Sequence, residues 1–151
     1  MRTRHILFIT IAFLLLSNCE KNPSTNNMYV EIAYKDKQGT DLLDPTKQNS
    51  FTTNTIHVYN VSNGKKTEVN YPNYDFPHNF RIYKNDDLAT FYLSLTIETD
   101  TTLLELNNSI TDTVTCIAEK SNGIGRLKKV WYNGVMEWDN IVNPQRFTIV
   151  K

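Results

Sequence analysis

The side chains that could do chemistry are few and scattered. Apart from His5 near the start, the histidines are His57 and His78, and neither stands at a spacing known to hold a metal with other histidines, cysteines or carboxylates. His57 lies between Ile56 and Val58, so strand alternation turns it to solvent. The segment 36–45 sets Asp36, Asp41 and Asp44 near Gly39, an oxygen-rich run that matches no EF-hand loop and suits side-chain-capped turns better than calcium. Asp86-Asp87 reads as a solvated turn. Cys116 alternates with Val114 and Ala118 on one strand face, the setting of a buried thiol rather than a nucleophile. No Gly-x-Ser-x-Gly elbow is present, and no serine or cysteine has an identifiable histidine and acid beside it. The expectation is a chain without catalytic residues, metal ligands or cofactor.

The most suggestive run is Tyr71-Pro72-Asn73-Tyr74-Asp75-Phe76-Pro77-His78. Two prolines stiffen it, and aromatic rings alternate with amide, carboxylate and imidazole groups. Rigid rings beside hydrogen-bonding groups suit sugar faces and protein hot spots, because amphipathic area is presented at little entropic cost. Tyr71, Tyr74, Phe76 and His78 are therefore the candidate binding residues. The competing expectation is that these rings fold back and cap the open end of a sheet structure.

The elements that must position this loop are strands. Ala89, Phe91, Leu93, Leu95 and Ile97 alternate with polar residues through 89–99, the pattern of a half-buried strand. Similar patterns run over 28–34, 55–59, 66–70, 80–83, 101–106, 111–119, 127–132, 135–138 and 146–150. Ser62-Asn63-Gly64-Lys65 and Asn133-Gly134 supply hairpin turns. A two-residue turn at Asn133-Gly134 would pair Trp131 with Met136 and Lys129 with Trp138, placing both tryptophans on one face. The fold class expected is all-β, an antiparallel two-sheet sandwich of immunoglobulin-like type, without the antibody pattern of two cysteines flanking a tryptophan. The stretches 35–53 and 71–78 are expected as surface loops.

The chain carries 16 basic and 16 acidic residues among 151, with no basic cluster, so a nucleic-acid footprint is absent. Its beginning is organised differently from the rest. Arg2 and Arg4 precede an apolar run from Ile6 to Leu16, followed by Ser17 and Asn18: the three-part layout of a secretory signal, too short to span a bilayer. Leu16-Ser17-Asn18-Cys19 resembles the lipobox of bacterial lipoproteins, with Asn18 departing from the usual small residue before the cysteine. The resemblance implies a signal peptide over 1–18 and lipidation of Cys19, which consumes one of two cysteines and leaves Cys116 unable to form an internal disulfide. Acyl chains contribute about 0.8 kcal/mol per buried CH₂, enough in pairs or threes to hold a water-soluble domain on a membrane. Residues 19–27, polar and breaker-rich, read as a tether, and 28–151 as a single domain.

Together with the Trp131-Tyr132-Asn133-Gly134 hairpin and the terminal strand, this organisation resembles the small lipoproteins of Gram-negative anaerobes. Glu20, where an aspartate would signal inner-membrane retention, favours the outer membrane. Asp100-Thr101-Thr102 and Asp112-Thr113-Val114 resemble a bacterial O-glycosylation acceptor. The function expected is a non-catalytic cell-envelope binding or accessory module, acting as a monomer on a protein or glycan. The alternatives are a periplasmic inhibitor or immunity lipoprotein and, further off, a hydrolase whose triad assembles across loops.

Overall fold

Where apolar residues alternate with polar ones, the chain forms strands. A computed structural model describes residues 27–121, 124–140 and 144–151; Cys19 and the rest of the leader and lipobox lie outside them. Among the described residues the strands are β1 (Tyr29–Lys35), β2 (His57–Ser62), β3 (Lys65–Glu68), β4 (Phe80–Asn85), β5 (Thr90–Thr96), β6 (Thr101–Asn107), β7 (Ile110–Ser121), β8 (Ile124–Tyr132), β9 (Val135–Asp139) and β10 (Arg146–Val150). They form a four-stranded sheet in the order β10-β1-β5-β4 and a six-stranded sheet in the order β3-β2-β6-β7-β8-β9. The two pack as a sandwich around one apolar core, the all-β two-sheet architecture that the alternation implies.

Period-two alternation decides which face each strand gives to the core. Val30, Ile32 and Tyr34 of β1, Leu93 and Leu95 of β5, and Phe147 of β10 point inward from the smaller sheet. Val58, Leu104, Leu106, Val114, Leu127, Val130 and Trp138 answer them from the larger one. Each such side chain, fully buried, contributes about 1.5–3 kcal/mol. The turns form where φ can be positive: Asn63 and Gly64 at 51° and 74°, Asn133 and Gly134 at 49° and 82°, the pair of left-handed residues that a type I′ hairpin needs.

Four details depart from the sequence reading. The ladder is not wholly antiparallel, because β10 runs parallel to β1, with Glu31 opposite Arg146 and Lys35 opposite Val150. Asn27, assigned to the tether, already belongs to the fold: it bridges to Arg126, and its N–H donates to the Gly125 carbonyl at 2.9 Å. Ala89, assigned to the fifth strand, has φ 48° and closes the turn before it, its N–H bonded to the Asp86 carbonyl. The two tryptophans do not share a face. The β8–β9 register shifts between Val130 and Trp131, so Val130 rather than Lys129 opposes Trp138. That bulge sends Trp138 into the core at 4 % exposure while Trp131 stays half-buried on the outside.

A polar chain crosses the interior beside the apolar core. Tyr34 and Tyr132 meet hydroxyl to hydroxyl at 3.0 Å, and Tyr132 hydrogen-bonds in turn to Asp112. Asp112 also receives the Lys151 ammonium at 2.5 Å and the Asn133 amide at 2.7 Å. Burial pushes the Asp112 carboxyl upward, but the hydrogen bonds from Lys151, Tyr132 and Asn133 outweigh it and hold the group below the usual carboxylate range. Its neighbour Thr113, on the opposite face of β7, is half-buried.

Candidate binding site

The loop that joins β3 in one sheet to β4 in the other is closed at its base by its own backbone. Tyr71 N–H donates to the Pro77 carbonyl at 2.7 Å, and Tyr74 N–H to the Tyr71 carbonyl at 2.9 Å. Pro72 and Pro77 fix φ on either side of the tip. The four residues singled out in the sequence then separate into two roles.

Tyr71 and His78 fasten the loop. Tyr71 is half-buried against the core, and its hydroxyl donates at 2.9 Å to Glu98 Oε2, an oxygen that also accepts from Asn60 Nδ2 at 2.8 Å. Bonding to this carboxylate, with its charge nearby, raises the Tyr71 phenol above its ordinary value. His78 Nδ1 lies 3.0 Å from the Val69 carbonyl; a carbonyl only accepts, so this nitrogen carries the proton. The imidazole also lies against Phe80 with centroids 6.3 Å apart.

Tyr74 and Phe76 project. They are 66 % and 46 % exposed, values that set them apart from rings folded back as a cap. Tyr74 leans on Tyr71 at 5.3 Å between centroids, and the Arg81 guanidinium lies 5.3 Å from the Phe76 centroid and 5.3 Å from that of Tyr83. Such stacking holds the exposed ring in place without hiding it.

Phe76 stands between two clefts open to solvent. One, of about 230 Å³, lies between Tyr29, Phe80, Arg81 and Ser94; the other, of about 500 Å³, lies between Asn73, Tyr74, Asp75 and Glu98. Phe76, Asn79 and Thr96 line both. Asn79 is held in the left-handed region at φ 57° by bonds from its N–H to the Phe76 carbonyl and from Thr96 N–H to its own carbonyl. Asparagine tolerates that conformation. Its side chain is 7 % exposed, and Nδ2 has no hydrogen-bond partner among the described residues, a state that costs about 1–3 kcal/mol.

Asn79, Arg81, Thr96, Glu98 and Tyr29 are not signalled as a group in the sequence because they come from three separate segments. Two carry a local hint: Asn79 and Arg81 closely follow the aromatic run. Thr96 and Glu98 show in the sequence only as the polar side of a strand.

The other chemically able residues are occupied elsewhere. Cys116 is 7 % exposed, its Sγ is 3.8 Å from the Thr99 carbonyl, and burial pushes the thiol up to about 11. Asp36, Asp41 and Asp44 each accept backbone N–H bonds within their own turns, from Gln38 and Thr40, Leu43 and Thr46 respectively. Asp41 additionally receives the Phe91 N–H at 2.8 Å, which ties the long loop to β5. His57 pairs with Glu68 at 2.9 Å on the surface. No three metal-ligating side chains converge among the described residues.

Comparison with protein-family models, with curated proteins and with solved structures finds no match for this chain.

Proposed function

We propose that the chain is a non-catalytic binding module of the cell envelope, lipidated on Cys19, that grips a glycan through the loop 71–78 and the clefts beside it. The anchor rests on the lipobox resemblance, and Glu20 favours the outer membrane. The observation that carries the binding role is Phe76: an aromatic ring almost half exposed, on a loop tied down at both ends, flanked by two clefts with an unpaired buried amide beneath. A folding requirement alone does not explain why a fixed loop should hold an apolar ring in water. Binding does, since a ring already immobilised loses little entropy when a sugar face stacks on it.

The test is affinity capture from detergent-solubilised envelope of the native host with the lipidated protein, read by mass spectrometry beside a glycan array. Glycan binding that Phe76→Ala abolishes supports the proposal. A single stoichiometric protein partner with no glycan bound would replace it with an inhibitor or accessory role.

A further inference from the structure

Across the outer face of the four-stranded sheet, one row of side chains runs Arg146, Glu31, Ser94, Arg81, in register through β10, β1, β5 and β4. The row holds two guanidinium groups and one carboxylate. Glu31 Oε2 accepts from Arg146 Nε at 2.8 Å and from Nη2 at 2.5 Å, and Tyr83 donates to the other oxygen. Glu31 is therefore fully engaged by Arg146 and Tyr83. Arg81, two places along, has no carboxylate within ion-pair distance among the described residues. Its guanidinium instead lies against Phe76 and Tyr83, exposed at the mouth of the smaller cleft. No acidic side chain lines that cleft; the larger one, on the far side of Phe76, has Asp75 and Glu98.

We infer that the ligand is an acidic oligosaccharide whose carboxylate is received by Arg81 in the smaller cleft, with one ring stacked on Phe76 and the next offering hydroxyls to Asp75 and Glu98. The assignment rests on the glycan-binding reading and adds the charge of the sugar and the residue that reads it. A guanidinium fixed by two aromatic faces keeps its planar N–H edge free, the geometry that takes a carboxylate in two parallel bonds. The flanking Ser94 and Thr96 hydroxyls supply further hydrogen-bonding groups, and the acidic side would repel a carboxylate placed the wrong way round. The polarity of the paired clefts thus sets the direction in which the chain of sugars lies.

The probes are oligosaccharides of three to six residues from polygalacturonate, alginate and hyaluronan, each beside its carboxyl-reduced form, titrated calorimetrically into the soluble form of the domain. At least one acidic probe is expected to bind about tenfold or more tighter than its reduced counterpart, and less tightly as salt rises. Arg81→Gln is expected to erase that difference, so that acidic and reduced forms bind it equally; Phe76→Ala abolishes both. Thermal melts of the two variants matching the parent show that the fold is intact. Equal affinity for acidic and reduced forms, or an Arg81→Gln variant that still distinguishes them, overturns the assignment while the module remains a glycan binder. Binding of no oligosaccharide, acidic or neutral, overturns both.

Discussion

The hydroxyls of Tyr34 and Tyr132 meet at 3.0 Å in the interior and join β1 of one sheet to β8 of the other. Asp112, as an ionised carboxylate, can only accept, so Tyr132 donates to it and Tyr34 donates to Tyr132. Burial raises both phenols well above their ordinary range, which keeps them protonated as donors. Tyr34→Phe removes one bond and leaves Tyr132 its acceptor, an expected loss of about 1 kcal/mol in chemical denaturation.

Asp112→Asn acts on the whole network. It leaves the Lys151 ammonium, one-fifth exposed, without its counter-charge, and the loss at neutral pH is expected to be about 3 kcal/mol, the low end for one partner of a buried pair. The folded-state carboxyl lies below its unfolded value, so its stabilisation is complete above the unfolded value and disappears as pH falls through the folded one. Melts of parent and variant should therefore lie far apart at pH 7 and converge in acid. A gap that persists undiminished at pH 2 would show that the charge is not what stabilises.

At the loop, Tyr74→Ala and Phe76→Ala are expected to abolish ligand capture with stability changed by no more than about 0.5 kcal/mol, as for exposed positions outside the core. Tyr71→Phe should behave differently, loosening the loop through the lost bond to Glu98 and weakening capture only in part. Loss of the melting transition in Phe76→Ala would show the ring to be core.

The bulge at Glu137 in β9 makes the tryptophans unequal. Trp138→Ala is expected to cost about 3–5 kcal/mol, the range for a large buried ring, and Trp131→Ala far less. Acrylamide should quench Trp131 in the folded protein and spare Trp138 until it unfolds.

Cys116 should be inert. With its thiol pushed up to about 11 from 9.0, the thiolate fraction near neutrality falls about 100-fold, and shielding lowers access further. Labelling with a thiol reagent should proceed at the rate of unfolding; rapid labelling of native protein would contradict the buried setting.

Much of the fold was legible because period-two alternation is a local signal. Val30 and Ile32, or Leu93 and Leu95, declare their face within five residues, and Asn133-Gly134 declares its turn within two. Parity is what alternation cannot protect: one extra residue, Glu137 of β9, opposite the Val130–Trp131 step reverses the face of Trp138, and nothing in the residues themselves marks the slip. The parallel pairing of β10 with β1 is equally silent, since it joins residues at opposite ends of the chain and depends on how two sheets close. At the candidate site, Phe76 and Tyr74 could be found because aromatic rings near prolines are conspicuous. Whether Tyr71 and His78 bind or fasten depended on Glu98 and the Val69 carbonyl, which only folding brings near. The free edge of Arg81 was invisible for a similar reason, because it follows from Glu31 being engaged by Arg146 and Tyr83.

Tyr29 lines the smaller cleft and stands two residues after Asn27, the first of the described residues. On the proposed anchoring, seven residues lie between the lipid-bearing Cys19 and Asn27, a span that cannot exceed roughly 28 Å. On the proposed reading, a ligand in that cleft would lie near the bilayer. A pull on a captured polymer would then enter the fold through β1, whose Val30, Ile32 and Tyr34 are buried in the core, and the load would be shared by its ladders to β5 and β10.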